Sequence, residues 1–472
     1  MTQPIPHHVL YELGCTEGSP ATLRLLARDQ DRRRLLLLRA VLDAADAADA
    51  AGADRCPPAA RRGLAESWAL LEAAERAAPD RGATVRSLLL APLVGPWAER
   101  ALALLTGAGP PDPAATARAL AHLAPLAAAA AVRAGLPFRL RLTATGGTLA
   151  LPTLGALRTG PGTVPVDAHH SGGRLVLRAD GPRTVTVRPQ RGYGAWAASP
   201  AWRAAHALPP LVPGGHPVPL DDLDPYRVPH HPDQPGFTGI TDLDDLARKR
   251  WGAAWSGAAA ALGHGGPHRI GEAVTLLRCL VPLAPPGGGA AGEPPPGSCS
   301  GTRREAFGAV LSSEPPDATG FAETLVHETQ HIKLAALAAL TPLHQADPAP
   351  RHFAPWRPDP RPFDGLWHGV YSHLALADWW LHHARALPPG PGRERAWAEH
   401  ARRREQVGAA LPVLVGSDAL TPAGRTVAEG MVTAYTRLTQ AEVPADHLAR
   451  AVAYVATTRA LWLQRQGGTH PS

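Results

Sequence analysis

The sequence predicts an α+β fold that is predominantly helical, with a small antiparallel β-sheet in the middle and a C-terminal helical metal-binding region. Three observations lead there. Leucine and alanine recur at i, i+3, i+4 and i+7 through residues 20–135; strict alternation takes over at 137–190; helical spacing resumes after 318, around the decapeptide LVHETQHIKL (325–334). A chain of 472 residues can bury a large core in two or three layers.

The elements follow in order. ATLRLLARDQDRRRLLLLRAVLDAADAA and RRGLAESWALLEAAERA are amphipathic, and three to five helices are expected in an N-terminal helical region spanning 1–135. In PFRLRLTATGGTLALP (137–152), alternating arms flank a Gly-Gly turn, and GGRLVLRADGPRTVTVRP (172–189) repeats the pattern, which makes 136–200 an antiparallel β region. Residues 201–317 read as a mixed segment. It holds an ordered wrapping stretch at 208–237, a helix at 241–262, a strand at 270–283 and a Pro/Gly-rich mobile linker at 284–301. From 318 to 472 the chain is helical: the motif helix, a second from about 364 to 386, and two more over 391–411 and 421–465. Asp317 or Thr319 caps the motif helix and Pro342 marks its end.

Composition narrows the function classes. The net charge is +6, but only Lys249 and Lys333 are lysines, and the arginines are dispersed along amphipathic helices rather than gathered with a nucleic-acid reader motif. No nucleic-acid partner is expected. Cys15, Cys56, Cys279 and Cys299 form no C-x-x-C pair, which argues against a disulfide framework or a cysteine zinc site. The N-terminus lacks the basic and apolar regions of a signal peptide, and LAPLAAAAAV (123–132) is too short to span a bilayer, so no membrane association and a cytoplasmic location are expected.

The chemistry sits in His327, Glu328 and His331. Residues four apart share a helix face, so the two imidazoles can reach one ion. Two ligands do not complete a site. The metzincin continuation is absent, since the chain reads HIKLAAL, and no glutamate lies between His331 and Arg393 to serve as a peptidase third ligand. GLWHGVYSHLALADWW (365–380) offers His368, Tyr371, His373 and Asp378. His373 lies mid-helix among small and aliphatic neighbours, where a buried polar group needs a partner; His368 is expected to be solvated or to back another ligand. His231 and Asp233 match an H-x-D pattern in a proline-rich loop. The adjacent pairs His169–His170 and His382–His383 read as solvated surface, and Trp367, Trp379 and Trp380 as core anchors, with Trp356 bordering a peptide groove.

Three blocks in order, PPGSCSGTRREAFGAV, ETLVHETQHIKLAAL and RHFAPWRPDPRPFDGLWHGVYSHLALADWW, resemble the HExxH-type peptide β-hydroxylases, the HEXXH motif domain proteins of ribosomal-peptide (RiPP) maturation. The resemblance extends more weakly into the N-terminal half and is most specific over 300–380. It implies an oxidoreductase, a dioxygenase dependent on Fe(II), 2-oxoglutarate and O2, which hydroxylates the β-carbon of a residue in a precursor peptide and releases succinate and CO2. Its partners are that precursor peptide and other peptide-maturation enzymes.

On this resemblance His327 and His331 are iron ligands and His373 the third, with Asp378 its rival, because a facial set of three leaves open positions for cosubstrate and O2. Arg357 and Arg361, on a proline-stiffened loop, are candidates for the distal carboxylate of 2-oxoglutarate, with Arg303 and Arg304 as alternatives. Glu328 is the candidate catalytic residue of the motif. It is the general base if the metal is zinc and the protein a metallopeptidase; in an oxygenase it orients a ligand or stays near the open positions. A third alternative is a non-catalytic peptide-binding scaffold.

Overall fold

The computed structural model describes residues 5–50, 55–77, 82–107, 109–179, 184–227, 239, 241–284 and 299–467. The chain is α+β, as the spacing predicts. It begins with helices α1 (His7–Gly14), α2 (Pro20–Ala50), α3 (Pro58–Ala77), α4 (Gly82–Leu89), α5 (Val94–Thr106), α6 (Pro113–Leu120) and α7 (Leu123–Ala134). Residues 20–135 thus carry six helices rather than three to five, because prolines and caps cut the apolar pattern more often than its period reveals. Asp112, for example, accepts a bond from the Ala115 N–H just ahead of Pro113. Trp97 is buried here and its Nε1–H donates to the Ala119 carbonyl at 2.7 Å, tying α5 to α6. Residues Pro113–Ala134 have the length and hydropathy of a membrane span, longer than the apolar run at 123–132 alone. Of that window 67% is buried inside the protein, between α3 and the neighbouring sheet.

Strands β1 (Phe138–Thr145), β2 (Thr148–Leu151), β3 (Gly155–Arg158), β4 (Thr163–Ser171), β5 (Arg174–Ala179), β6 (Thr184–Pro189), β7 (Ala195–Trp196) and β8 (Trp202–Ala204) follow. They form one antiparallel sheet in the order β7-β6-β5-β4-β1-β2-β3-β8. Gly146 and Gly147 both have positive φ, 61° and 82°, as a two-residue hairpin turn requires. Leu142, Val166, Leu177 and Val187 point one way and bury against Ala128, Ala129 and Val132 of α7. The Trp202 Nε1–H donates to the Ala195 carbonyl at 2.8 Å, drawing the two ends of the sheet together.

A second sheet was not foreseen. Strands β9 (His206–Leu208) and β10 (Val218–Leu220) precede helices α8 (Asp245–Ser256), α9 (Ala258–His264) and α10 (Pro267–Leu276); β11 (Cys279–Pro282), β12 (Ser300–Thr302) and β13 (Ala309–Ser312) come after. The order is β12-β13-β11-β10-β9, with β10–β11 and β11–β13 parallel. The segment 270–283 is therefore helix first and strand only from 279, and the expected linker ends in strand β12. Residues 228–238 and 285–298, which include His231 and Asp233, lie outside the described residues.

The C-terminal part is α11 (Ala318–Leu340), α12 (Phe363–Ala386), α13 (Pro391–Val415), α14 (Pro422–Thr439) and α15 (Ala445–Gly467). The segment 421–465 is two helices, interrupted before Pro444, whose ring disfavours helical backbone at the residue before it. Asp317 caps α11 by accepting from the Gly320 N–H at 2.7 Å. Phe321 of α11 sits edge-on to Trp251 and Trp255 of α8, with centroids at 5.5 and 5.1 Å. Truncating it to alanine costs about 3–5 kcal/mol. Trp367, Trp379 and Trp380 are core residues, as expected.

One turn of α11 faces away from the motif histidines. At 100° per residue, Lys333 lies about 160° round the helix from His331 and Gln330 about 100°, so both turn away from that histidine. There the Glu272 carboxylate of α10 accepts from Lys333 Nζ at 2.5 Å, Arg269 Nη1 at 3.1 Å and Gln330 Nε2 at 3.1 Å. Lys333 also donates to the Thr16 and Glu17 carbonyls, and Arg269 to that of Thr16. Thr16 has φ 59°, a left-handed conformation uncommon for threonine, which directs its carbonyl into the cluster. Helix α1 reaches this place by lying directly on α14. A Cβ on Gly14 would stand 2.3 Å from the Val427 oxygen, and one on Gly430 would stand 2.4 Å from the Tyr11 oxygen.

Candidate metal centre and its cavity

The motif face of α11 forms one wall of a cavity of about 1120 Å³. Strand β12 supplies a second wall, and α12, α13 and the loop carrying Trp356 close the far side. His327 and His331 look into it. Their Nε2 atoms are 3.0 Å apart. Two imidazole nitrogens held about 2.1 Å from one ion stand roughly 3.0–3.4 Å apart, so the pair is close enough to reach a single ion. Burial pulls the pKa of His331 down to about 3, that of His368 to about 4, and those of His327 and His373 well below the usual histidine range. All four rings are neutral near pH 7, the state in which imidazole can ligate.

His368 is the ring beside His331, with Nδ1 atoms 3.2 Å apart and rings stacked at 5.4 Å. It therefore backs a motif histidine, one of the two roles the sequence allowed. His373 reaches the same cavity from α12, its ring centroid 5.6 Å from that of His327. Its Nδ1 must donate to the Gly369 carbonyl at 2.9 Å, which leaves Nε2 as the acceptor. That lone pair receives the Arg403 guanidinium at 3.1 Å. Arg403 is held in turn by Glu323 at 3.0 Å. Trp356 lies flat on the other side of His373, with ring centroids 4.4 Å apart.

The motif pair thus fits a metal ion, while the third nitrogen is engaged by an arginine. As the side chains stand, no cluster of three or more His, Cys, Asp or Glu among the described residues is arranged to hold a metal ion. Asp378 is elsewhere. It accepts from Arg269 at 3.3 Å and lines a separate cavity of about 390 Å³ with Cys15 and Arg437.

Glu328 is buried beside the pair, its Oε1 3.9 Å from His327 Nε2. Ser300 Oγ donates to that oxygen at 2.7 Å, whereas Oε2 has no hydrogen-bond partner among the described residues. Burial raises its pKa to about 7, with the Ser300 bond acting weakly in the opposite direction.

Seven arginines line the cavity against four carboxylates, which suits an anionic occupant. Arg357 and Arg361 are both on its wall, and each pairs with Asp359, at 3.1 and 3.6 Å. Arg304 pairs with Asp364 at 2.6 Å. Arg303 also touches the cavity but is buried, its guanidinium bonded to Glu305 and the Tyr226 carbonyl. The remaining cations, Arg395, Arg402 and Arg403, come from α13, which the sequence reading treated only as a helix. A signal was present: Arg395, Glu399 and Arg402–Arg403 recur at helical spacing in RERAWAEHARRR, a charged stripe on one face.

Two expectations about histidine pairs need correcting. His170 is buried, with Nδ1 2.8 Å from the Leu136 carbonyl. His383 is buried against His264, Nδ1 to Nδ1 2.7 Å. In each pair adjacency sends one ring inward and the other outward, so only His169 and His382 keep solvent contact. None of the four cysteines is in a disulfide. No protein-family model matches the chain, and no curated protein matches it at a significant level.

Proposed function

We propose that the protein is an Fe(II)- and 2-oxoglutarate-dependent oxygenase that hydroxylates the β-carbon of a residue in a ribosomally made peptide. The observation that carries this reading is the convergence of His327 and His331, Nε2 atoms 3.0 Å apart, on the wall of an arginine-lined cavity that has room for a peptide. His327 and His331 would hold the iron, and His373 would join them once Arg403 is drawn to its carboxylate partners Glu323 and Glu399. When bound, the metal would supply oxygen activation coupled to decarboxylation of 2-oxoglutarate, with one atom of O2 ending in the peptide and the other in succinate.

The chain's own residues do the rest. Arg357 and Arg361, paired with Asp359 in the structure, would turn to the distal carboxylate of 2-oxoglutarate, which a guanidinium can hold bidentately. His368 orients His331, and the Gly369 carbonyl fixes the tautomer of His373 so that Nε2 is the ligating atom. Trp356 covers His373 and keeps water from that side.

One observation favours a second reading. Glu328, with a pKa near 7, one oxygen beside His327 and bonded to Ser300, and the other without a partner among the described residues, is poised as a general base, as in a zinc hydrolase. The test separates the two. Purified protein is incubated aerobically with Fe(II) and 2-oxoglutarate, and succinate is measured against a zinc-loaded, oxygen-free control with a peptide pool. Succinate that requires His327 and His331 supports the oxygenase. Peptide cleavage with zinc and without oxygen replaces it with the hydrolase.

A further inference from the structure

Strand β12 is the edge of its sheet, and its outer side opens on the cavity that holds the motif histidines. Register shows which of its backbone groups are spent. The Ser313 N–H donates to the Cys299 carbonyl at 2.8 Å, and Ser300, Gly301 and Thr302 stand opposite Ser312, Leu311 and Val310. In an antiparallel ladder, residues that exchange bonds with the partner strand alternate with residues that do not. Cys299 and Gly301 face β13, so Ser300 and Thr302 turn N–H and C=O outward. Among the described residues no group bonds to these four backbone atoms. The Ser300 side chain bonds to Glu328, which places the strand directly over the motif turn of α11.

An exposed strand edge is a template for another strand, and proteins ordinarily blunt or cover it. Here it has no proline and no charged side chain within Ser300–Thr302, and it lines a cavity with His327, Glu328, Trp356 and His373. The volume of about 1120 Å³ exceeds the roughly 300–1,000 Å³ usual for small-molecule sites.

We propose that the peptide substrate docks as an added strand on β12, paired through its backbone to Ser300 and Thr302. This rests on the oxygenase reading for the word substrate only; the docking itself needs no metal. Main-chain pairing supplies affinity with little demand on side chains, and it fixes alternate peptide residues facing α11. The occupant is therefore an extended, unstructured peptide segment. A single free amino acid is too short to pair with both Ser300 and Thr302.

The experiment uses the full chain, stripped of metal, and a pool of capped octapeptides of randomised sequence. Peptides retained by the protein are resynthesised with N-methyl groups at every second amide, in each of the two registers. Docking on β12 predicts that one register weakens binding about tenfold while the other changes it less than about threefold. Thr302→Pro deletes one outward N–H without touching the β13 ladder, and is expected to weaken binding about tenfold; Thr302→Val, which keeps the N–H, leaves it unchanged. The N-methyl comparison needs no altered protein, so it stands whether or not Thr302→Pro folds. Retention of no octapeptide, equal effects of the two registers, or wild-type binding by a folded Thr302→Pro overturns the proposal. A retained peptide that gains no oxygen atom with Fe(II) and 2-oxoglutarate removes the oxygenase and leaves the docking intact. Hydroxylation at an unchanged rate in Thr302→Pro does the reverse.

Discussion

Replacing Glu272 with glutamine removes the carboxylate that Lys333, Arg269 and Gln330 share behind the motif helix. The side chain keeps its size, so the change isolates charge. Two cations then remain buried, facing the Thr16 and Glu17 carbonyls and, for Arg269 alone, the partly exposed Asp378. Breaking a buried pair in this way costs about 3–5 kcal/mol. The lower end applies, because Lys333 can escape by losing its proton. Burial already draws its pKa down to about 8, and Glu272 is the largest influence holding it up.

The pH dependence follows from the same residue. Between about 8 and the unfolded lysine value the unfolded chain binds more protons, so this group adds stability as pH rises through that window. Glu272 has a lowered pKa, since Lys333 and Arg269 outweigh the burial that would raise it. Its contribution is present above the usual glutamate range and fades as pH falls below it. At pH 9 wild-type Lys333 is largely neutral, so the deficit of Glu272→Gln is smaller there than at pH 7. Urea unfolding followed by tryptophan fluorescence at both pH values reads the difference. Lys333→Met leaves Glu272 and Arg269 matched one to one and should cost less than Glu272→Gln. A Glu272→Gln loss below about 0.5 kcal/mol at pH 7, or one smaller than that of Lys333→Met, would refute the assignment of Glu272 as the anchor of the cluster.

Other outcomes are expected at the cavity. Iron affinity should fall at least about tenfold in His373→Ala and stay unchanged in Asp378→Asn, measured as metal per chain after dialysis; the opposite ranking removes His373 as a ligand. Gly369→Ala places a methyl group 2.2 Å from the Trp356 ring, so it should lift the indole from His373 and shift tryptophan emission, with far-UV circular dichroism intact. Glu328→Gln should leave Fe(II)-dependent succinate release within about threefold of wild type, whereas a general base would lose about 10²–10⁴-fold in turnover.

What was legible in the sequence was local. Asp317, the four-residue histidine spacing and Pro342 lie within one helix or next to it, and each acts on backbone a few residues away. The Gly146–Gly147 hairpin belongs to the same class. The five-stranded sheet was not legible, because strands of three or four residues cannot show a period and the parallel pairs at its centre join distant segments, as Leu220 opposite Leu280 and Cys279 opposite Ala309 show. Arg403 was hidden for another reason. In an arginine-rich helix nothing marks the one guanidinium that turns inward to His373. Which member of an adjacent histidine pair is buried likewise depends on the element packed above it, and His383 meets His264 from α9 only in three dimensions.

The seating of α1 on α14 has a consequence during synthesis. Tyr11 hydrogen-bonds Thr433 across 422 positions of sequence. At about 5–20 residues per second, the first helix leaves the ribosome roughly 20–80 s before the surface that receives it. Until α14 emerges, α1 lacks the surface it lies on, and until Arg269 and then Lys333 emerge the Thr16 carbonyl lacks these two donors. The seat of α1 on α14 is therefore completed only after the motif helix itself has been made.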